Sequence, residues 1–566
     1  MKKYITTNIN RAKHLSFALL CLFVLGCSES FLDEVPLDRF SPENLLVDEA
    51  GFGAAVVALY QAAREEHNIG GANFDYMNLG TDIVEWGRAD NRGFKDYSLL
   101  NSQFDPVNGY WDWAYKNVIR QSNFILDNLD KPGLEINASQ RASFSGQAKF
   151  FRAYAYTVLA NLYGGVPIVD RQITEPKFDY QRATKEEVLQ FIRQDLEDAA
   201  AALPPVAAES NGRIYQAAAW HLLAEVYISL GMTTGNASYY DQAIAAASKV
   251  IDGQAGSYQL MAQRFGDLSR PGDVFSDLFW NNQQNRASGN MEVIWAWQFE
   301  SFTLGGGTSG GGNNNVRFWA PEQERIRTPN GVSNIASDSL IRGIGVNSPT
   351  NYFKYDIWRL DPNDMRNSKY NIRREFYYNN PADAEYFGKK VRTARDASGR
   401  LVVAREDGSL TTQVLDTLRV WYPWIRKIDG APFDDNVTSG KTSNDIIVMR
   451  LAETYLLRAE AYFRKGDLTN AAMDLNALRN RANALEISAG DVTIDFILDE
   501  RVRELITEEP RRRTLQRMGV LYDRVTRYNP PSASTIQPFH ELWPIPQKFI
   551  DSNTGAVIQQ NPGYPQ

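Results

Sequence analysis

Between Ala459 and Leu478 the chain reads Ala-Glu-Ala-Tyr-Phe-Arg-Lys-Gly-Asp-Leu-Thr-Asn-Ala-Ala-Met-Asp-Leu-Asn-Ala-Leu. Small residues recur at the spacing where two helices must cross closely, and Gly466 falls at the turn between them. A hairpin of this kind cannot bury its apolar faces alone and must stack on neighbours, which restricts the chain to folds built around stacked helices. Ala224, Tyr227, Gly231, Ala243, Ile244, Ala247 and Val250 follow the same order. Reading Gly231 as the turn residue gives this second copy a seven-residue loop insertion before Ala243.

The pattern resembles the tetratricopeptide repeat, and helical periodicity extends it. Trp111, Tyr115, Val118, Ile119, Phe124, Ile125 and Leu129 lie on one helix face, as do Phe144, Ala148, Phe151, Ala155, Leu159 and Leu162. A further helix is predicted from Thr184, with Glu187 completing a capping box, to Leu203, where Pro204-Pro205 stops it; its partner spans about Tyr215 to Leu230. The expected class is mostly α, with a tetratricopeptide-like scaffold mainly over 40–66, 110–253 and 446–520 and a large irregular, loop-rich half mainly over 67–109 and 264–445. The irregular half carries short β-like runs (Val293 to Phe299, Leu418 to Lys427) and eight of the twelve tryptophans, which argues for an ordered, functional region.

The N-terminus predicts export. Residues 1–26 hold four cations and no acid, and the apolar run Phe17 to Leu25 is too short to span a bilayer, so 1–26 reads as a signal peptide. Gly26-Cys27 then matches a lipobox, making Cys27 the lipidation site. Cleavage there leaves a single cysteine, so no intramolecular disulfide is expected, and takes the formal charge from −8 to −12 by removing those four cations. An acidic chain disfavours nucleic acid, whose phosphates call for clustered Lys and Arg.

Signatures of catalysis are not found. The Gly-rich run Gly305 to Asn315 contains the letters of a nucleophile elbow and of a dinucleotide loop, but lacks the strand before and helix after that those motifs require. Gly440-Lys441-Thr442 resembles the end of a phosphate loop, yet its first glycine would be Asp435. Three histidines follow Cys27 (His67, His221, His540), too few and too scattered for a zinc site. Asp434-Asp435 reads as a solvated loop pair. No enzyme activity, cofactor or metal is expected.

Across nearly the whole mature chain the residues resemble the SusD/RagB family of outer-membrane nutrient-binding lipoproteins. The matching segments are Phe31-Leu32-Asp33; Trp111 with Tyr115 and Asn123; Phe150 to Tyr156 followed by Leu162 to Pro167; Arg213 with Ala217 to Tyr227; Arg450 with Ala452-Glu453 and Ala459 to Ala461; Asn476 with Arg479 and Arg481; Glu500-Arg501 with Glu504-Leu505; and Pro544 to Pro546 before Gln560 to Tyr564. Arg511, Thr514, Leu515 and Arg517 depart from the family's usual Arg-x-x-Asp-Leu-x-Arg. The resemblance implies that 27–566 is one SusD-like unit, anchored in the outer membrane by its lipid and facing the exterior. It also implies a non-catalytic binder of oligosaccharides that delivers them to a SusC-like TonB-dependent β-barrel transporter. A peptide receptor of the same family and a protein-interaction scaffold are the alternatives.

A sugar site needs flat aromatic faces and convergent polar groups. Asp82, Trp86 and Arg88 in the Gly-bracketed stretch Gly80 to Arg88, and Trp297, Trp319 and Trp358 in the irregular half, are the candidate ligand contacts. Trp86 is the first choice among them.

Overall fold

The computed structural model describes residues 45–67, 76–90, 93–206, 212–307 and 311–565. The signal segment, Cys27 and Phe31-Leu32-Asp33 lie outside the described residues, as does Thr308 to Gly310 of the Gly-rich run.

Helix ends follow local chemistry. Helix α1 (Glu49–Arg64) starts where the Asp48 carboxylate accepts from the Gly51 N–H. Three consecutive stretches, Asp105–Asp112, the π-helical Trp113–Ile119 and Arg120–Leu129, make α2. Helix α3 (Ala138–Tyr163) opens on an Asn137/Gln140 capping box, and α4 (Lys185–Ala202) opens on the expected Thr184/Glu187 box. Helices α5 (Gln216–Thr234) and α6 (Ser238–Ile251) complete the first group. The second comprises α7 (Leu451–Lys465), α8 (Leu468–Arg481), α9 (Ile494–Leu505), α10 (Arg511–Met518) and α11 (Leu521–Tyr528).

Each helix from α2 to α8 packs on the next in one continuous row, including α6 on α7, which are separated by about two hundred residues of chain. The larger part of the irregular half, 264–445, is therefore an insertion between successive units of the solenoid. Helix α5 is apolar around its circumference because it is enclosed, packing on α4, α6 and α7. Ala452, Ala459, Ala471, Leu475 and Leu478 share one buried cluster, as the small-residue spacing in α7 and α8 predicts. Gly466 is the turn residue, in the left-handed region at φ 86°. In the other copy the turn residue is Gly235 (φ 71°), not Gly231. Gly231 lies inside α5, where an added Cβ would meet the Tyr240 ring at 2.5 Å. Counted from Gly235 to Ala243, the loop insertion shrinks from seven residues to three.

The irregular half contains small antiparallel sheets: β1 (Val84–Trp86) with β3 (Asn347–Pro349), β2 (Val293–Trp297) with β9 (Ile446–Arg450), β4 (Ile372–Arg373) with β8 (Trp424–Ile425), and the meander β5 (Arg392–Arg395), β6 (Leu401–Ala404), β7 (Leu410–Val414). Strand β9 runs directly into α7, and β2 packs on α5, so this pair returns the chain to the scaffold.

The halves are locked together by buried ions. Glu504 on α9 is fully buried and accepts from Arg366 of the irregular half (2.9 Å), from Arg450 of β9 (2.6 Å) and from Arg481 of α8. Glu500, one turn earlier, meets Arg366 (2.7 Å), Arg479 (2.9 Å) and Arg503 (2.7 Å). Asp82 is held by Arg511 (2.6 Å) and Arg524 (2.9 Å) from α10 and α11. Where the family's usual aspartate is replaced, the Thr514 hydroxyl donates to Glu509 (2.9 Å), so this helix contact is made by a neutral donor.

Two stability predictions follow from this network. Asp82→Asn removes a charge shared by two buried guanidinium groups and should destabilise the protein by ~3–5 kcal/mol in chemical denaturation; a loss under about 1 kcal/mol would mean that Glu509 beside Arg511, and Asp495 and Asp499 beside Arg524, suffice. Burial pushes Asp82, Glu453, Glu460 and Glu500 up, but neighbouring arginines, joined at Glu453 by His221, outweigh it and hold each near a pKa of about 2. Their unfolded values lie near 4, so the stability they contribute is complete above about pH 5 and is lost as pH falls toward 2. The melting temperature should decline progressively across that window, whereas a flat profile to pH 3 would show that these carboxylates do not support the fold.

Candidate functional site

Most of the predicted contacts belong to the framework. Asp82 is fully buried between Arg511 and Arg524, with no face left for a ligand. Trp86 is 9% exposed; its strand pairs with β3, and its indole N–H donates to Asp90 (3.1 Å). Trp297 packs with Trp295 and Phe151 against the scaffold. Trp319 is buried and its carbonyl accepts from the Tyr422 hydroxyl (3.1 Å). Trp358 is buried and donates to the Phe353 carbonyl (2.8 Å). The expectation that these four rings are open stacking platforms is corrected by their burial. Loops without a repeating hydrogen-bond pattern need large side chains to fill their interior, and Trp also donates to a loop carbonyl. Arg88 differs: it is half-buried, and its guanidinium reaches the Ile344 carbonyl (3.4 Å). Pairing of β1 with β3, together with Val346 N donating to the Phe318 carbonyl (3.1 Å), brings Trp86, Arg88 and Trp319 into one neighbourhood; Trp297 packs on the scaffold instead.

Of the eight loop-borne tryptophans only Trp280 and Trp421 escape burial. Trp421 packs against Phe376, whereas Trp280 lines a cleft of about 690 Å³ in the irregular half. That volume suits a ligand of a few rings. The β4–β8 register sets Arg373 directly across from Trp424, placing its guanidinium 5.3 Å from that ring. Arg270 and Arg426 flank Trp280 at 5.6 and 5.1 Å. Asp429 accepts from Trp424 Nε1 (2.7 Å) and Arg426 Nε (3.0 Å), while Arg373 stands 3.8 Å away. Burial lowers the Arg373 pKa, partly opposed by Asp429. Asn281, Asp338, Ser339 and Asp435 supply further polar groups. Asp434 and Asp435 both adopt left-handed backbone, φ 50° and 56°, a costly arrangement for consecutive non-glycine residues, and Asp434 anchors the loop by accepting from Phe302 N (2.8 Å).

The cleft wall is tied to the ionic core. Between Arg426 and Asp429, which face the cleft, Lys427 turns inward and donates to the Glu504 carbonyl (2.5 Å) and the Glu508 carboxylate (2.6 Å). Burial lowers the Lys427 pKa to about 8, with Glu508 opposing. The arrangement offers a flat ring and convergent donors and acceptors, and so suits recognition of a polar, ring-containing ligand. Sequence reading missed Trp280; the polar run Asn281-Asn282-Gln283-Gln284-Asn285 after it was the one local signal available.

Comparison with known proteins places this architecture. Residues 291–564 match the model described as "SusD family", and residues 31–228 match one described as "Starch-binding associating with outer membrane". The chain is 26% identical to "Starch-binding protein SusD" of Bacteroides thetaiotaomicron, over 87% of this chain and 85% of that protein. It is 25% identical to "SusD-like protein P25" of Formosa agariphila, over 95% and 96%. Among solved structures, a SusD homolog from Bacteroides thetaiotaomicron superposes with a TM-score of 0.69 at 20% identity, covering 93% of this chain and 99% of that one. A "Laminarin binding SusD-like protein" gives 0.65 at 22%, covering 91% and 99%. Helical solenoid, inserted loop-rich half and matches along both halves agree: this chain is a SusD-like protein of the SusD/RagB family.

Proposed function

We propose that the protein is a non-catalytic, surface-exposed lipoprotein that binds oligosaccharides in the Trp280–Trp424 cleft and passes them to a SusC-like TonB-dependent transporter. The observation that carries the glycan reading is Trp280: it is the loop-borne tryptophan that is both incompletely buried and set in a cleft with Arg, Asp and Asn groups around it. A sugar ring presents an apolar C–H face to such an indole and its hydroxyls to the surrounding donors and acceptors. Two relatives whose printed names include starch or laminarin binding support the ligand class. Anchoring through Cys27 and delivery to the transporter rest on the lipobox and on family membership.

Trp280→Ala should weaken glycan binding at least about tenfold, or ~1.4 kcal/mol, in calorimetry against a panel of plant, fungal and host oligosaccharides. Its melting temperature should change little, because the ring contributes to the cleft more than to the core. Unaltered glycan binding would remove Trp280 from the site, and binding of peptide mixtures in place of glycans would favour the receptor alternative. Cys27→Ala should shift the protein from the outer-membrane fraction to the soluble one without altering its fold; unchanged fractionation would place the anchor elsewhere.

A further inference from the structure

Most buried arginines of the framework, such as Arg366, Arg450 and Arg511, have carboxylate partners, whereas beside the cleft cations gather with few acids. Ile344 N donates to the Arg317 carbonyl (2.8 Å), Arg88 reaches the Ile344 carbonyl (3.4 Å), Arg317 Nη1 donates to the Ser439 carbonyl (2.8 Å) and Arg342 N donates to the Val437 carbonyl (3.2 Å). A Cβ on Gly440 would lie 2.5 Å from the Arg342 carbonyl and 2.8 Å from Arg317 Cβ, so Lys441 leaves the backbone at the point of closest approach. The chain thus gathers Arg88, Arg317, Arg342 and Lys441, all half-buried. Among the described residues, the carboxylate within ion-pair distance of these four is Glu324, at 3.9 Å from Arg342.

Burial lowers the Arg317 pKa, and repulsion from Arg342 and Arg88 adds to it; Lys441 is lowered by burial and by Arg317. Four cations held together with one carboxylate in ion-pair range among the described residues create a positive potential that an incoming anion relieves. The cluster also continues the cleft wall, since Val316 and Ile341, the chain neighbours of Arg317 and Arg342, line the cleft. We propose that Arg88, Arg317, Arg342 and Lys441 form an anion subsite that takes a carboxylate or sulfate substituent of an acidic glycan whose ring lies in the cleft. This rests on the glycan reading of the cleft and narrows its ligand to acidic sugars.

The test is calorimetry on the full mature chain with oligogalacturonate, which carries carboxylates alone, a carrageenan oligosaccharide, which carries sulfates alone, and neutral laminarin and maltodextrin oligosaccharides. At least one acidic glycan should bind more tightly than the neutral ones and lose affinity as salt is raised; which of the two does so identifies the anion. Arg342→Gln with Lys441→Gln should weaken that binding about tenfold or more while melting temperature and any neutral-glycan binding stay unchanged. Arg317→Gln serves as an independent second variant. Acidic glycans binding no tighter than neutral ones, or both variants retaining full affinity, would overturn the anion subsite. Neutral binding abolished by Trp280→Ala, without acidic preference, would sink the subsite and leave the cleft reading standing; no binding of any glycan would sink both.

Discussion

Buried pairing between arginine and carboxylate is the interaction on which the rest of this molecule depends. Glu504 alone joins the solenoid (Arg481), the returning strand (Arg450) and the irregular half (Arg366), with Glu500 and Asp82 repeating the device nearby. The net energy of such pairs is modest, because each ion must first lose its water. Their geometric demand is strict, since a planar guanidinium satisfies its donors only with partners placed in its plane. That suits loops with little helix or sheet to position them: the ions specify where the irregular half sits on the scaffold, and breaking one pair leaves an uncompensated charge.

The cleft inherits its shape from this arrangement. Lys427 is drawn into the ionic core by Glu504 and Glu508, so Arg426 and Asp429 on either side of it face the opposite way, toward Trp280. Arg373 reaches Trp424 because a two-residue strand pair fixes them across from each other. A cleft built on loops thus obtains the rigidity usually supplied by regular elements, and rigidity of this kind lowers the ordering entropy of capturing any ligand. The basic cluster beside it is poorer in acids: Arg88 and Arg317 donate to carbonyls, and Glu324, 3.9 Å from Arg342, is the carboxylate in ion-pair range among the described residues.

Local chemistry was readable wherever cause and effect lie within a few residues. The Thr184/Glu187 capping box begins α4, Gly466 closes the α7–α8 turn, and the alanines at the close crossing of α7 and α8 are buried as their spacing requires. Gly231 misled because a glycine in a helix and a glycine at its end look alike in sequence. What separates them is the Tyr240 ring packed against the former, and the residue that takes the left-handed turn is Gly235. Among the tryptophans, sequence identified a region rich in rings but not which ring stays open. Trp86 is covered through pairing with Asn347 and Trp297 through Phe151, whereas Trp280, flanked by the Arg270 and Arg426 side chains, stays on the cleft.

By itself, then, the sequence determined the helical scaffold, its repeat and the division into a regular and an irregular half, because periodicity, capping and small-residue spacing act over one or two helical turns. Tertiary structure decided which polar and aromatic groups became framework and which remained available. Asp82 finds Arg511 across 429 positions of sequence, and Arg88 finds Ile344 across 256. No short-range pattern distinguishes a carboxylate that will be neutralised by distant arginines from one that will face solvent, because burial and pairing are properties of the assembled chain.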